Sequence, residues 1–364
     1  MTEHSQAKMR IVHLIPHDGI GGVEGAARTM AIAEEPPYDF RLMLIAGPAR
    51  GGSSARIIGS PFRRPLNPFA QFRAVLACLR SRPAVLLASL WKSVPAALTI
   101  RIIRPQTRLV YFLNADRCVH MLDRLLSGAA IRLADEVWSD SAATLDARLI
   151  GSSKARIVSF VTERLSPPDT RVVVPRPNFV VWCRQDHQKG LDRAITFIGL
   201  LAARDIDAHF DIWGPEGGGH ASLQRQVAEL ALERRVTFRG SLDRAQLSAI
   251  AAEASFFLLP SRFEGMSMAC VEAMQLGLVP VVTDVGEMAR YIEPGGSGII
   301  LDPADLESGS AKIAALLAQP ERFAEMRDRA IQRWSHSPLY RDDVYAACCS
   351  LASRLDRERA RDAG

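Results

Sequence analysis

Short apolar segments alternate with segments of helical spacing along nearly the whole chain of 364 residues. The series opens with a strand pattern at 10–15 and a helix pattern at 23–33, and it restarts at 178–183 and 191–204. Because two parallel strands are joined through a long crossover, usually a helix, this alternation is typical of a doubly wound parallel sheet. The sequence therefore predicts an α/β protein with two such sheets.

A proline-rich segment separates the two series. The stretch from Thr162 to Pro177 holds four prolines and loses the regular spacing. Proline restricts the residue before it and cannot donate to a strand ladder, so this stretch predicts an interdomain linker. We expect an N-terminal domain at 1–170, a linker at 171–177, a C-terminal domain at 178–335 and a charged C-terminal helix at 336–364.

Residues 255–282 predict a strand, a loop, a helix and a second strand. The apolar runs at 255–260 and 278–282 are typical of buried parallel strands, and 268–276 has helical spacing. The loop before the helix then lies at the carboxyl end of a strand. Open α/β sheets bind their ligands at that end.

This loop has the features of an anion site. The backbone N–H groups of Gly265, Met266 and Ser267 would face an anion, which the helix dipole favours. Two carboxylates flank the site, Glu264 in the loop and Glu272 in the helix. A carboxylate beside a phosphate is unfavourable unless it accepts hydrogen bonds from hydroxyl groups. Sugars and riboses supply such hydroxyl groups.

The segment 261–280 reads Ser-Arg-Phe-Glu-Gly-Met-Ser-Met-Ala-Cys-Val-Glu-Ala-Met-Gln-Leu-Gly-Leu-Val-Pro. It closely resembles the signature of the retaining glycosyltransferases of family 4, and the resemblance extends over nearly the whole chain. It implies the GT-B fold, in which two Rossmann-like doubly wound domains face an interdomain cleft and the C-terminal helix, here 336–364, often crosses back to the N-terminal domain. It also implies that Glu264 contacts the transferred sugar and that Glu272 holds the ribose of the nucleotide. The alternative is an ordinary αβ unit with two solvated glutamates.

Two cations follow the first strand of the second domain. Arg184 and Lys189 lie five positions apart in one loop, where their side chains can converge on a pyrophosphate. The family has an Arg and a Lys-Gly at this spacing. The resemblance therefore implies that both residues stabilise the leaving diphosphate and act with Glu264 as the catalytic group. The alternative is that both are surface charges.

Other site residues rest on weaker resemblances. Gly21 and Gly22 resemble a family loop in which glycines let the backbone approach the nucleotide phosphates and the acceptor, although such a loop can also be a simple tight turn. Arg239 falls in a segment that resembles the family's base-binding segment. Many members carry a His where this chain has Asn114, and His120 is a candidate substitute on the acceptor side, or a structural residue.

We expect neither a metal nor a cofactor beyond the nucleotide diphosphate sugar that serves as donor substrate. Asp205-Ile-Asp207 superficially matches the Asp-x-Asp metal site of the other large glycosyltransferase fold, but it precedes a strand and so lies at the wrong end of the sheet. A solvated turn is the alternative that we favour. The leaving-group charge would be offset by Arg184, Lys189 and a helix N-terminus.

One further departure from the family leaves alternatives open. After the strand at 278–282 the family usually shows two glycines and a glutamate, whereas this chain has Gly286-Glu287 and then Arg290. The leading hypothesis is an enzyme that transfers a sugar with retention of configuration. The alternatives are a catalytically silent nucleotide-sugar-binding subunit and a sugar-nucleotide epimerase of the same fold.

The charge distribution suggests a membrane partner. Residues 40–115 contain no Asp or Glu but twelve Lys and Arg. One part of this window has the composition of a surface that rests on anionic lipid, with basic side chains for phosphates and aromatic ones for the interface. Its residues are Phe62, Arg63, Arg64, Phe69 and Phe72. The alternative is an arginine-rich bias with the phenylalanines in the core. We expect no nucleic-acid partner.

The sequence also predicts a location. The apolar run at 11–15 is too short for a signal peptide, and Lys92, Pro95 and Arg101 interrupt the longest apolar candidate for a membrane span, 84–103. The six cysteines form no Cys-x-x-Cys pair, which fits free thiols in a reducing cytosol. We expect a cytoplasmic protein, docked peripherally on the inner membrane, that acts on a lipid-linked or growing saccharide.

Overall fold

The structure is a computed structural model of the chain. It describes residues 8–19, 21–34, 36–50, 54–114, 118, 120–148, 154–168 and 174–362. Two compact units are present, and the chain divides between Thr162 and Glu163. The first unit comprises Met1–Thr162 with Pro338–Gly364, and the second comprises Glu163–Ser337. The linker that the sequence predicts at 171–177 lies partly outside the described residues.

The first unit is built on seven strands, each joined to the next along the chain by a helix or a loop. The strands are β1 (Met9–Ile15), β2 (Tyr38–Leu44), β3 (Ile57–Ile58), β4 (Val85–Ser89), β5 (Arg108–Phe112), β6 (Glu136–Ser139) and β7 (Ala155–Ile157). The helices before Thr162 are α1 (Gly22–Ile32), α2 (Pro68–Ser81), α3 (Val94–Ile103), α4 (Met121–Leu133) and α5 (Ala142–Arg148).

The second unit repeats this plan. Its strands are β8 (Asn178–Trp182), β9 (His209–Trp213), β10 (Val236–Gly240), β11 (Phe256–Leu259), β12 (Val279–Thr283) and β13 (Ile299–Leu301). Its helices are α6 (Leu191–Ala202), α7 (His220–Glu229), α8 (Leu247–Glu253), α9 (Met268–Gln275), α10 (Met288–Tyr291), α11 (Leu306–Leu317) and α12 (Pro320–Ser335). The last helix, α13 (Tyr340–Asp362), belongs to the first unit.

Each unit holds one sheet in which the strand pairs are parallel. The first sheet has the order β3-β2-β1-β4-β5-β6-β7 and the second has the order β10-β9-β8-β11-β12-β13. The strand order reverses between β1 and β4 in the first sheet and between β8 and β11 in the second. Ligands of doubly wound sheets bind at such switch points, outside the carboxyl ends of the strands. The predicted α/β class with two doubly wound parallel sheets is confirmed.

The strands form the buried core of each unit. Every residue of β4, β11 and β12 is buried. Parallel strands covered by helices on both faces are apolar along their whole length, which is why short apolar runs predicted them correctly. Within the described residues no helix is both long enough and apolar enough to cross a membrane.

Two predicted elements are shorter in the structure for identifiable reasons. The sequence predicts a helix at 117–134, but α4 begins at Met121 because the His120 side chain caps it, accepting from the Asp123 N–H at 3.2 Å. The sequence also predicts a strand at 156–161, but β7 ends at Ile157. The following segment instead bonds to the C-terminal segment. There the Ser159 N–H donates to Asp343 Oδ2 at 2.6 Å.

Candidate active site

Glu264 lies in the loop that follows β11, at the switch point of the second sheet. Its side chain is 6% exposed. Lys189 Nζ donates to Glu264 Oε1 at 2.7 Å, and Ser261 Oγ donates to the same oxygen at 2.7 Å. Lys189 ends a 3₁₀ turn in the loop after β8, so the loops after the two central strands meet at this ion pair. Lys189 and Glu264, which were both predicted as site residues, are therefore in direct contact.

Two glycines allow the loops around Glu264 to approach closely. Gly190 has a φ of +65°, and a Cβ atom there would lie 2.0 Å from the Pro260 carbonyl oxygen. Gly286 has a φ of +59°, and a Cβ atom there would lie 2.1 Å from the Glu264 carbonyl oxygen. Only glycine fits such backbone contacts without a shift of the chain. The loops after β8, β11 and β12 are therefore packed backbone to backbone around the carboxylate.

The three residues predicted to bind an anion lie directly before α9. Ser267 occupies the N-cap position with a φ of +59°, a left-handed conformation that non-glycine residues rarely adopt. Its Oγ is buried and has no hydrogen-bond partner in the described part of the chain. The Met266 carbonyl accepts from the Tyr291 hydroxyl at 2.8 Å, which fixes the loop after Gly265. The first N–H groups of a helix have no partner within it, so they are available here to an anion.

Glu272 lies in α9 and is 7% exposed. Trp182 Nε1 donates to Glu272 Oε2 at 2.8 Å, and Arg244 Nη1 donates to Glu272 Oε1 at 2.8 Å. Arg244 also pairs with Glu163 at 3.1 Å. Burial disfavours the charged guanidinium, but the carboxylates of Glu272 and Glu163 outweigh this and raise the pKa of Arg244.

Sequence reasoning missed both partners of Glu272. Arg244 is 28 positions from Glu272 in the sequence and Trp182 is 90 positions away. No local spacing connects residues so far apart. The only sequence signal was that Trp182 lies near the carboxyl end of the strand predicted at 178–183, and ligands bind at that end of a parallel sheet.

Two predicted site residues of this unit have other partners. The Arg184 side chain is 57% exposed and pairs with Asp186 at 3.3 Å, rather than with Glu264. Arg239 pairs with Asp211 through two contacts of 3.1 and 3.2 Å. This second pair lines a groove of about 550 Å³ between the sheet and α8. The roles of Arg184 and Arg239 in substrate binding remain predictions.

The glycine loop of the first unit contacts a buried carboxylate. Glu24, in the first turn of α1, is 8% exposed. A Cβ atom on Gly21 would lie 2.4 Å from Glu24 Oε2, so the carboxylate folds back over the loop that precedes Gly22. This loop follows β1 and therefore lies at the switch point of the first sheet. The roles of Gly21 and Gly22 remain predictions.

A buried histidine lies beneath this switch point. His13, in β1, has one ring nitrogen 2.8 Å from Ser89 Oγ, and its ring stacks on Phe112. Burial lowers the pKa of His13 from 6.5 to about 3. The ring is therefore neutral near pH 7.

The two predicted acceptor-side residues lie near the carboxyl end of β5. The His120 ring contacts Trp91 edge-on at 4.7 Å between centroids, and Lys92 lies 5.3 Å from the same indole. Asn114 follows β5, and both polar atoms of its side chain are buried without a partner among the described residues. Sequence reasoning did not predict the contact between Trp91 and His120. The acceptor roles of Asn114 and His120 remain predictions.

No metal centre is formed by the residues that the structure describes. Among them, no group of three or more His, Cys, Asp and Glu side chains is placed to hold a metal ion. Asp207 pairs with Arg235 at 2.9 Å and its side chain is 80% exposed. Asp205 precedes it in the turn between α6 and β9. All six cysteines are free.

Comparison with known proteins agrees with this fold. Residues 169–333, which lie within the second unit, match the family described as glycosyl transferases group 1. A solved structure of Anabaena Alr3699/HepE in complex with UDP and glucose matches 97% of this chain and 100% of its own, with a TM-score of 0.74 and 16% identity. Such identity establishes the fold alone. The predicted GT-B fold is confirmed, and residues 169–333 are similar to the group 1 glycosyltransferases.

Two curated relatives are 26% and 27% identical to this chain. The GDP-mannose:cellobiosyl-diphosphopolyprenol alpha-mannosyltransferase of Xanthomonas campestris is 27% identical over 57% of each chain. The lipopolysaccharide core biosynthesis mannosyltransferase LpsB of Rhizobium meliloti is 26% identical over 78% of this chain and 84% of its own. This chain matches 57% and 51% of the lengths of the first two mannosyltransferases found, about half of each.

Proposed function

We propose that this chain, which matches the group 1 glycosyltransferases over residues 169–333, moves a hexose from a nucleotide diphosphate sugar to a hydroxyl group. The donor is a UDP- or GDP-sugar. The acceptor is a lipid-linked or growing saccharide in the assembly of a surface polysaccharide or glycolipid. Support for this acceptor class comes from two relatives, one acting on cellobiosyl-diphosphopolyprenol and one in lipopolysaccharide core biosynthesis.

The observation that carries the proposal is the ion pair between the partly buried Lys189 and the buried Glu264, beside the N-terminus of α9. Removing charges from water costs solvation energy, and the switch points of doubly wound sheets are where their ligands bind. Lys189, together with Arg184, offsets the charge of the departing diphosphate, and Glu264 contacts the transferred sugar. Since these groups are fixed before the reaction, they stabilise developing charge without reorganisation.

The remaining residues bind the substrates. The N–H groups of Gly265, Met266 and Ser267 bind the donor phosphates at the start of α9. Glu272 accepts hydrogen bonds from the ribose hydroxyl groups, and Arg239 contributes near the base.

On the first unit, Gly21 and Gly22 let the backbone approach the donor phosphates and the acceptor. Asn114 and His120 contact the acceptor there. The unpartnered amide of Asn114 supports this assignment, because a buried polar group is normally hydrogen-bonded.

The sugar is transferred with retention of anomeric configuration, on the same face as the leaving diphosphate. Glu264 is engaged by Lys189 and Ser261, which supports a binding role rather than that of a free nucleophile. NMR of the first product formed from an α-linked donor tests this step. An α-linked product is expected, and a β-linked product would contradict retention.

The activity is tested by hydrolysis of a panel of UDP-, GDP- and ADP-sugars, which requires no known acceptor. We expect slow release of sugar from one donor class by the wild-type protein and much slower release by Lys189→Ala. Donor binding without any turnover would indicate a silent binding subunit. Conversion of the donor into its epimer, without release of sugar, would indicate an epimerase.

The first unit docks on an anionic membrane from the cytoplasmic side. Helices α2, α3 and α4 cover one face of the first sheet, because each leads to the next strand in the same direction and such crossovers are right-handed. On α2, Phe69 is 70% exposed and Phe72 is also exposed; on α4, Met121 is 77% exposed and Leu125 is exposed as well. These four residues lie toward the N-terminal ends of their helices. The six free thiols support a reducing compartment.

Basic residues next to this apolar face match the charge of an anionic bilayer. Arg63 and Arg64 precede α2 and are exposed, and residues 40–115 contain no acid that would repel lipid phosphates. Phe62 was expected to lie on this membrane-facing surface, but it packs against the core of the first unit. At about 1 kcal/mol for each basic residue near the surface, a few of them give reversible binding that salt weakens.

Sedimentation with liposomes tests this docking. We expect binding that rises with the anionic lipid fraction, falls at high salt and drops strongly in Arg63→Glu/Arg64→Glu. The matched control is Arg225→Glu/Arg234→Glu, which makes the same charge change at exposed positions of the second unit. No binding to anionic liposomes at low salt would contradict membrane docking and favour a soluble acceptor.

A further inference from the structure

Glu272 is held from both sides of its carboxylate. Trp182 Nε1 donates to one oxygen and Arg244 Nη1 donates to the other, each at 2.8 Å. The side chain is buried in α9, so water does not compete freely for either oxygen. Two donors on opposite oxygens fix the rotation of the carboxylate as well as its position.

This arrangement leaves two lone-pair sites of the Glu272 carboxylate without a donor among the described residues. A carboxylate offers about four lone-pair sites, and the two protein donors use one on each oxygen. One site therefore remains on each oxygen of Glu272. Two hydroxyl groups on neighbouring carbons match such a pair of acceptors, and the 2′- and 3′-hydroxyl groups of a ribose form such a vicinal diol.

The two donors are themselves restrained. The Trp182 ring packs against Phe257 with 4.9 Å between centroids, in the core of the sheet. Arg244 begins a 3₁₀ turn before α8, and its Nη2 also donates to the exposed Glu163 Oε2 at 3.1 Å. Both donors contact Glu272 before a ligand arrives, so the orientation of the carboxylate is set in advance.

The geometry points to Trp182 and Arg244 as positioning residues that orient Glu272 to accept both hydroxyl groups of a ribose and thereby select ribonucleotides. This inference rests on the proposed function, since it assigns the diol to the nucleotide of the donor. Neither Trp182 nor Arg244 contacts the reacting atoms in this account. Their effect is on binding and acts through Glu272.

Calorimetric titration with a nucleoside diphosphate and with its 2′,3′-dideoxy counterpart tests the inference. UDP and GDP are both used, each with its own counterpart. Hydrogen bonds to a charged group contribute enough that the wild-type protein should prefer the ribonucleotide by about 10- to 100-fold. In Arg244→Met and in Trp182→Phe this preference should fall below about threefold, with affinity for the dideoxy ligand nearly unchanged.

The first unit supplies a matched control. There Trp138 Nε1 donates to the buried Glu136 at 2.6 Å, and Arg156 pairs with the same carboxylate at 3.4 Å. Arg156→Met removes one of two cations from a buried carboxylate that also pairs with Arg354, and it should leave the ribose preference unchanged. Arg244→Lys keeps the charge and should restore part of the preference that Arg244→Met loses.

The outcomes separate this inference from the proposed function. Equal weakening of both ligands in Arg244→Met and Trp182→Phe would indicate a purely structural role and overturn the inference, while the proposed function would stand. A wild-type protein that binds neither UDP nor GDP would contradict both. If Arg244→Met fails to fold, Trp182→Phe and Arg244→Lys still test whether Trp182 and Arg244 orient Glu272, because each of these variants keeps most of the original side-chain volume.

Discussion

The two units differ in the burial and pairing of charged side chains near the carboxyl ends of their sheets. In the second unit, Glu264 and Glu272 are both buried, and each is paired with a cation. In the first unit, Glu24 is buried in the first turn of α1, but residues 40–115 contain no acid at all, and Phe69 and Met121 are exposed. The two sheets nevertheless share their central strand order.

This difference indicates two kinds of ligand. Buried, paired charges suit a small ligand with charges and hydroxyl groups at defined positions, because desolvation makes each contact directional and strong. An exposed surface of apolar and basic side chains suits a large anionic surface, where no single contact must be exact in geometry. The second unit is thus the proposed donor side and the first unit the proposed acceptor side.

Removal of the Lys189 charge should have the largest effect. In Lys189→Ala, the departing diphosphate loses a fixed cation and Glu264 loses its ion-pair partner, so we expect kcat to fall by about 100- to 1,000-fold. Arg184→Ala should cost less, because Arg184 is exposed and its charge is screened by water. Steady-state kinetics measures both. Lys312→Ala, at an exposed position, is the control, and near-wild-type turnover of Lys189→Ala would refute the assignment.

A single added Cβ atom should disrupt the close packing of the loops in the second unit. In Gly190→Ala the new Cβ atom would overlap the Pro260 carbonyl at 2.0 Å, so we expect a loss of about 2–3 kcal/mol in the free energy of unfolding. Gly128→Ala is the matched control in the first unit. Nothing lies within 4 Å of its Cβ position in α4, and a gain of about 0.5–1 kcal/mol is expected there. Equal unfolding midpoints for the two variants would contradict the packing described.

His13 should make stability depend on pH. Its pKa is lowered from 6.5 to about 3, so below pH 6.5 the unfolded chain binds a proton that the folded chain does not. This contribution to stability is complete above pH 6.5 and is lost as the pH falls, by up to about 1.4 kcal/mol per pH unit.

Urea unfolding at several pH values between 7 and 5 checks this expectation. His13→Gln retains a polar partner for Ser89 and does not titrate, so its stability should fall less over this range. His209→Gln, at a half-exposed position of the second unit, should behave like the wild type. A wild-type slope matched by His13→Gln would show that His13 does not titrate on unfolding.

Sequence reasoning succeeded where the information was local. The helical spacing at 191–204 predicted α6, which begins at Leu191 as predicted and ends at Ala202. The positions of Lys189 and Glu264 after strands predicted that both lie at one end of the sheet. Residues that follow neighbouring parallel strands lie together because these strands end at the same edge of the sheet. Local pattern and strand order are therefore enough for the fold and for the outline of the site.

Sequence reasoning failed where the choice of partner depends on the tertiary structure. Arg184 looked equivalent to Lys189, yet it pairs with Asp186 and stays exposed. Phe62 looked like an interfacial aromatic, yet it packs on the core. Arg244 carried no local signal, because only the folded chain brings it to Glu272. A sequence locates a side chain along the chain, but it does not give the direction in which that side chain points.

The smallest expected effect is that of a chelator. Arg184, Lys189 and the start of α9 already supply positive charge to the donor phosphates, so we expect EDTA to leave the rate of donor hydrolysis unchanged. The check is to measure this rate before and after chelation. Complete loss of activity that Mn²⁺ or Mg²⁺ restores would contradict this proposal and direct attention to Asp205 and Asp207.

The central claim is that the two buried glutamates of the second unit have separate roles. Calorimetric titration of the nucleoside diphosphate into Glu264→Ala and Glu272→Ala tests it most directly. We expect Glu272→Ala to weaken binding by about 10- to 100-fold, because the ribose loses its charged acceptor, and Glu264→Ala to keep its affinity within about threefold while losing donor hydrolysis. Equal losses of nucleotide affinity in the two variants would contradict the account.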